Sequence, residues 1–193
     1  MKSESAGPGP AANKAVTAVV MGVSGSGKTL IGAALATAIG GRFVEGDDYH
    51  PKANIDRMAG GLPLRDEDRW DWLDAIAAEI ADAARSGDTL VIACSALKRV
   101  YRDRLTSADP RIRFIYLEIG RDAAAARVAA RGGHFMPSSL VDSQFAALEP
   151  PSPDEGALRL DATGDPKRLV NLAAAALPVI RDATPIDAGG GCL

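Results

Sequence analysis

"GVSGSGKT", Gly22 to Thr29, is the stretch that decides the fold. It has the spacing G-x-x-x-x-G-K-[ST]. An apolar run of β type, "AVTAVVM", precedes it, and "LIGAALATAI", with helical spacing, follows it. Glycines let the backbone wrap so that its N–H groups point inward at phosphate oxygens. The next helix begins there, and its N-terminal dipole favours negative charge. Gly22, Ser24, Gly25, Ser26 and Gly27 are therefore read as the phosphate cradle. Lys28 reaches the β- and γ-phosphates, and the Thr29 hydroxyl takes a place on Mg²⁺. A glycine-rich turn between strand and helix is the bland alternative, and the flanks argue against it.

Outward from this loop the chain alternates. Apolar β-type runs lie at Val16–Met21, Arg42–Glu45, Thr89–Ala93, Ile112–Glu118 and Ala157–Asp161. Alanine-rich stretches with helical spacing lie at Thr29–Ile39, Arg69–Arg85, Lys98–Leu105, Asp122–Arg131, Ser138–Leu148 and Lys167–Leu177. That order predicts an α/β fold, a five-stranded parallel sheet with helices on both faces. Residues 1–14 and 183–193, rich in Gly, Ser, Pro and Ala, are expected to be disordered tails around one domain, 15–182.

The totals narrow the function. At 193 residues one domain is the default. A net charge of -3 argues against nucleic-acid binding by bulk charge. The cysteines, Cys94 and Cys192, make no disulfide framework. No apolar run is long enough to cross a membrane, and the N-terminus lacks a signal peptide's apolar core, so the expected setting is the cytoplasm.

The loop specifies the phosphate donor and leaves the acceptor open. The guanine-reading Asn/Thr-Lys-x-Asp of GTPases is absent after it, which leaves ATP. The third strand ends in Cys94-Ser95 instead of a Walker-B carboxylate. The protein ligands to Mg²⁺ are then few, which suits an ion that keeps several waters.

The acceptor chemistry is sought in "RFVEGDDYHP", Arg42 to Pro51. It follows the second strand, on the edge where open parallel sheets bind ligands. A hydroxyl acceptor needs its proton removed or oriented, and aspartate is the common group for that. In an extended segment neighbouring side chains point opposite ways, so Asp47 and Asp48 cannot both face the site. Asp47 is chosen as base, with Glu45 on the same face toward the metal's water shell. One histidine among carboxylates lacks the spacing of a zinc site.

Four blocks in order then resemble bacterial gluconokinases: the loop itself, "GDDYHPKANIDRMAGGLPLRDEDRWDWL", "CSALKRVYRDRL" and "ARGGHFMPSSLVDSQFAALEPP". The resemblance covers most of Val19 to Val179. It implies a P-loop kinase fold with a mobile lid at about 121–150, ATP and Mg²⁺ as cofactors, D-gluconate as the small-molecule substrate, and a homodimer. Carried over by position, His50, Asn54, Arg69, Ser95, Lys98 and Arg102 line the gluconate site. Arg127, Arg131 and His134 belong to the lid. Arg127 then serves the nucleotide and Arg131 the transferred phosphoryl group. Gly132 departs from the family pattern, where a basic residue can occur.

The residues themselves leave several of these roles open. Lys98 and Arg102, at i and i+4, also describe a solvated helix face. Arg127 and Arg131 also complement a helix C-terminus. His134 is either a polar cap on the lid or a substrate contact. Gln144 orients acceptor hydroxyls or sits beside the core run "FAAL". Trp70 and Trp72 read as core or partner packing. A kinase for shikimate or a nucleoside monophosphate is the near rival, and a non-catalytic nucleotide-binding regulator the distant one.

Overall fold

The computed structural model describes residues 15–130 and 138–181. Five strands, β1 (Thr17–Met21), β2 (Arg42–Glu45), β3 (Leu90–Ala93), β4 (Arg113–Glu118) and β5 (Leu158–Asp161), form one parallel sheet. Its order is β2-β3-β1-β4-β5. The chain leaves β1 toward one edge and later returns to its other side. The crevice beyond the carboxyl end of β1 is the switch point where such sheets bind ligands.

The central strands β1 and β3 are buried throughout and nearly all apolar because both faces are covered, while the edge strands β2 and β5 carry charged residues and bury one residue each. Ala18 and Val20 of β1 pack with Ile31 and Leu35 of α1 (Lys28–Ile39) and with Leu169 and Ala173 of α7 (Pro166–Arg181). Val19 and Met21 point the other way. They meet Ile76 and Ile80 of α3 (Trp70–Ser86) and Leu105 of α4 (Arg99–Thr106). Trp72, Leu73, Ile76, Ile80 and Ala83 are the buried stripe of α3, at the spacing of an amphipathic helix. Pro166 opens α7 at the one position where a missing N–H costs nothing.

Two more helices, α5 (Arg121–Ala129) and α6 (Ser138–Ala147), fall where periodicity expects them. The helix α2 (Lys52–Ala59) follows Pro51 and falls outside the helical stretches read from the sequence; Ile55 and Met58 stand at helical spacing, but Asn54 is its one buried residue. Among the described residues no helix is long and apolar enough to cross a membrane.

Candidate active site

The loop after β1 is built as a cradle. Gly25 has φ +84°, and a Cβ there would lie 2.6 Å from the Ala124 carbonyl oxygen. Only glycine allows the loop to press this closely on α5. The Gly22 N–H donates to the Ser95 carbonyl at 3.3 Å, tying the loop to the end of β3. Gly27 caps α1, so the first turn of that helix opens into the loop. Lys28 folds back over the loop, its Nζ 3.1 Å from the Val23 carbonyl oxygen. The Ser26 hydroxyl is buried and has no hydrogen-bond partner among the described residues. An oriented donor in an anion-shaped cradle suits phosphate oxygens.

Depressions flank this loop on either side. One, of about 380 Å³, lies between Gly25–Gly27 and the Ala162–Pro166 turn. Arg127 forms part of its wall, donating from Nη2 to the Ala162 carbonyl at 2.8 Å. The other, of about 70 Å³, gathers polar groups from five parts of the chain. Ser24 and Lys28 come from the loop, Asp47 and His50 from the end of β2, Arg69 from the start of α3, Ser95 from the end of β3, and Gln144 from α6. Met58, Pro63, Leu64 and Leu140 supply apolar wall.

Asp47 reaches this pocket for a different reason than alternation along a strand. Gly46–Tyr49 is a turn of 3-10 helix, closed by the His50 N–H on the Asp47 carbonyl. Side chains at i and i+3 eclipse in such a turn. Asp47 and His50 therefore share the pocket side, and neither Asp48 nor Glu45 is on its wall. The extended reading of this segment is corrected, while Asp47 remains the inward carboxylate.

His50 is buried and stacks on Trp72, ring centroids 4.3 Å apart. Burial, and then the Arg69 charge, lower its pKa to about 4 against a partial opposing pull from Asp47. The ring is neutral near pH 7 and offers one donor and one acceptor. Cys94 lies behind Ser95. Burial pushes its thiol up to about 12, so it is no nucleophile.

Several expected substrate contacts are not brought to this pocket. Asn54 is buried and donates from Nδ2 to the Asp68 carbonyl, bracing the segment before α3. Lys98 is held by both oxygens of Asp66, at 2.7 and 2.8 Å, and Tyr101 donates to the same carboxylate. Arg131 and His134 lie outside the described residues.

Arg102 is the largest departure. It is fully buried and forms a two-pronged pair with Glu155, with Nη2–Oε1 at 2.9 Å. Its Nη1 donates to the Ala96, Leu97 and Glu149 carbonyls. Ala96 has φ 42°, a left-handed conformation that costs a non-glycine residue energy. Arg102 is thus a strut: it supports the turn that presents Ser95 and ties it to the chain leaving α6. Removing one partner of a buried pair costs about 3–5 kcal/mol. Arg102→Ala should lose stability on that scale in urea unfolding. Burial raises the Glu155 pKa, but the Arg102 bonds outweigh it and hold the carboxyl below the ordinary glutamate value of 4.5. The folded state therefore binds fewer protons there than the unfolded chain. The pair's contribution is full above that value and is lost as pH falls beneath it.

Sequence reasoning missed Asp66, Trp72 and Glu155 as the groups that hold the site's parts. "RDEDRW" did stand inside a segment read for its resemblance, but nothing local marks which carboxylate meets which cation.

A sequence family described as an AAA domain matches residues 18–151. The chain is 45% identical to the thermosensitive gluconokinase of Escherichia coli over 148 residues, 76% of this chain and 79% of that protein. It is 44% identical to the gluconokinase of Gluconobacter oxydans, over 77% of this chain and 83% of that one. A crystal structure of a gluconokinase from Sinorhizobium meliloti superposes with a TM-score of 0.79 at 42% identity, covering 86% of this chain and 94% of that one.

Proposed function

Because the chain belongs to the gluconokinase family of P-loop kinases, we propose that it transfers the γ-phosphoryl group of ATP to D-gluconate, giving 6-phospho-D-gluconate. One observation carries this reading. A carboxylate, a neutral imidazole, a guanidinium and a hydroxyl, from Asp47, His50, Arg69 and Ser95, line one pocket with the loop lysine. A small polyhydroxy acid needs such a set: a cation for its carboxylate, short polar groups for its hydroxyls, and a base beside the phosphate.

In this reading ATP phosphates lie in the Gly22–Thr29 cradle, and its base extends toward the Arg127 groove. The terminal hydroxyl of gluconate faces Asp47. Its oxygen bonds to the γ-phosphorus while Asp47 takes the proton. The bond from phosphorus to the bridging oxygen breaks, and that electron pair leaves with ADP. Lys28 stabilises the equatorial oxygens during transfer, and Arg131 joins it from the lid. Mg²⁺, when bound, neutralises charge between the β- and γ-phosphates. Thr29, exposed on the first turn of α1, would hold it. Among the described residues no cluster of His, Cys, Asp and Glu could hold a metal unaided, which suits an ion carried by the nucleotide and water.

Arg69 is the pocket's candidate for the gluconate carboxylate, since His50 is neutral and Asp66 engages Lys98. A charge-assisted hydrogen bond of about 1.5–3 kcal/mol is about 10- to 150-fold in affinity. Arg69→Ala should raise KM for gluconate by that order and change kcat less, as steady-state kinetics would read. A pocket of about 70 Å³ is far below the ~300 Å³ of ordinary ligand sites. We infer that the α6 wall, with Leu140, Ser143 and Gln144, shifts to admit the acceptor as part of a lid. The Ser24 N–H now donates to Gln144 Oε1 at 2.6 Å, a bond that such a shift breaks. We also assign a cytoplasmic homodimer, on the family resemblance.

The test is a coupled assay of ADP release with ATP and gluconate, with the product identified. Turnover with shikimate or a nucleoside monophosphate, and none with gluconate, overturns the assignment.

A further inference from the structure

We propose that Trp72 is a positioning residue for phosphoryl transfer, a clamp that holds both ends of the turn carrying Asp47. This deepens the acceptor-site reading and rests on it. Trp72 is fully buried in the middle layer between α3 and the sheet, and it does not line the pocket. Its indole N–H donates to the Gly46 carbonyl at 2.7 Å. Its ring lies nearly parallel to the His50 imidazole, 14° apart. Gly46 immediately precedes Asp47, and His50 closes the same turn. One side chain therefore grips the turn at its entry and at its exit.

The grip has little slack. A Cβ on Gly46 would fall 2.5 Å from the Ala93 carbonyl oxygen and 3.3 Å from Ile76 Cδ1. The backbone before Asp47 is thus pressed against β3 on one side and tied to Trp72 on another. At the exit the indole covers one face of His50, which fixes the plane of the imidazole. The buried Nδ1 of that ring has no hydrogen-bond partner among the described residues. A ring nitrogen held this way needs a water or a ligand hydroxyl to complete it. Among natural side chains only tryptophan joins a wide flat apolar face to a lone N–H donor.

Phosphoryl transfer depends on placing the base against the attacking oxygen. A misplacement near 1 Å can cost on the order of 10²-fold. Trp72→Phe keeps a face for His50 and removes the N–H that holds Gly46. We expect kcat/KM for gluconate to fall by about 10- to 100-fold, with KM for gluconate raised and KM for ATP unchanged. A Trp72 that only fills the core would lower Tm and the amount of active enzyme and leave both KM values alone. Trp70→Phe is the control. Trp70 sits edge-on to Tyr101 at 5.9 Å, away from the turn, and its variant should keep the wild-type KM.

Hydrogen exchange reads the clamp without substrate. In Trp72→Phe the amides of Asp47–His50 should exchange faster by about 10-fold, while β3 and the rest of α3 keep their protection. Exchange unchanged in the turn, or sped uniformly through α3 and the sheet, overturns the clamp, as does unaltered gluconate kinetics. A wild-type protein inactive on gluconate would instead overturn the acceptor assignment, and exchange alone would then decide the clamp.

Discussion

Asp47→Asn should keep ATP binding and lower kcat with gluconate by about 10²–10⁴, the usual worth of a positioned general base. The asparagine preserves size and can still accept a hydrogen bond, so the pocket retains its shape. It cannot take a proton at neutral pH. The loss should therefore fall on the chemical step, with KM for either substrate moved far less. Asp48→Asn is the paired control. Asp48 is one residue on but is not on the pocket wall. Its variant should behave as the wild type. Steady-state kinetics on both, with calorimetric titration of ATP, decides the matter. Equal losses in the two variants, or a larger loss at Asp48, would remove Asp47 from the base's role.

Lys28→Ala should weaken nucleotide binding and turnover together. The ammonium is a point charge held inside the cradle by the Val23 carbonyl. It meets the β- and γ-oxygens in the ground state and the spreading charge during transfer. Removal of one preorganised electrostatic donor lowers kcat by about 10²–10³. The ground-state share of the same contact should add a rise in KM for ATP. KM for gluconate should move little, because Arg69 carries the acceptor's charge in our assignment. A variant with wild-type ATP affinity and rate would mean that the loop does not hold phosphate in this way. Loss of ATP affinity with kcat intact would confine Lys28 to binding.

These expectations draw on unequal parts of the sequence and the structure. The phosphate loop was legible because its chemistry is local: eight consecutive residues, Gly22–Thr29, carry the backbone freedom, the cation and the helix start. Strands β1, β3 and β4 were legible because burial on both faces leaves nearly continuous apolar runs, while the edge strands β2 and β5, with one buried residue each, gave only short mixed ones. Helices α1 and α3 were legible from their spacing. Asp47 was chosen from sequence, but for a reason that the fold replaced: a 3-10 turn, and not a strand, turns it inward beside His50. The helix α2 was signalled by Pro51 and not by a buried stripe, since Ile55 and Met58 stand at helical spacing while its one buried residue is the polar Asn54.

By itself the sequence determined the fold class and the place of the glycine-rich loop at the carboxyl end of β1. Only the tertiary structure decided which cations line the pocket beside that loop. Lys98 and Arg102 looked alike, two cations one helical turn apart. Lys98 is taken by Asp66, 32 residues away, and Arg102 by Glu155, 53 residues away. Trp72 meets Gly46 across 26 residues. A backbone conformation follows from near neighbours, because sterics and hydrogen bonding act over a turn or two. The partner of a long charged side chain, or of a buried indole, depends on which distant segment the sheet order brings beside it.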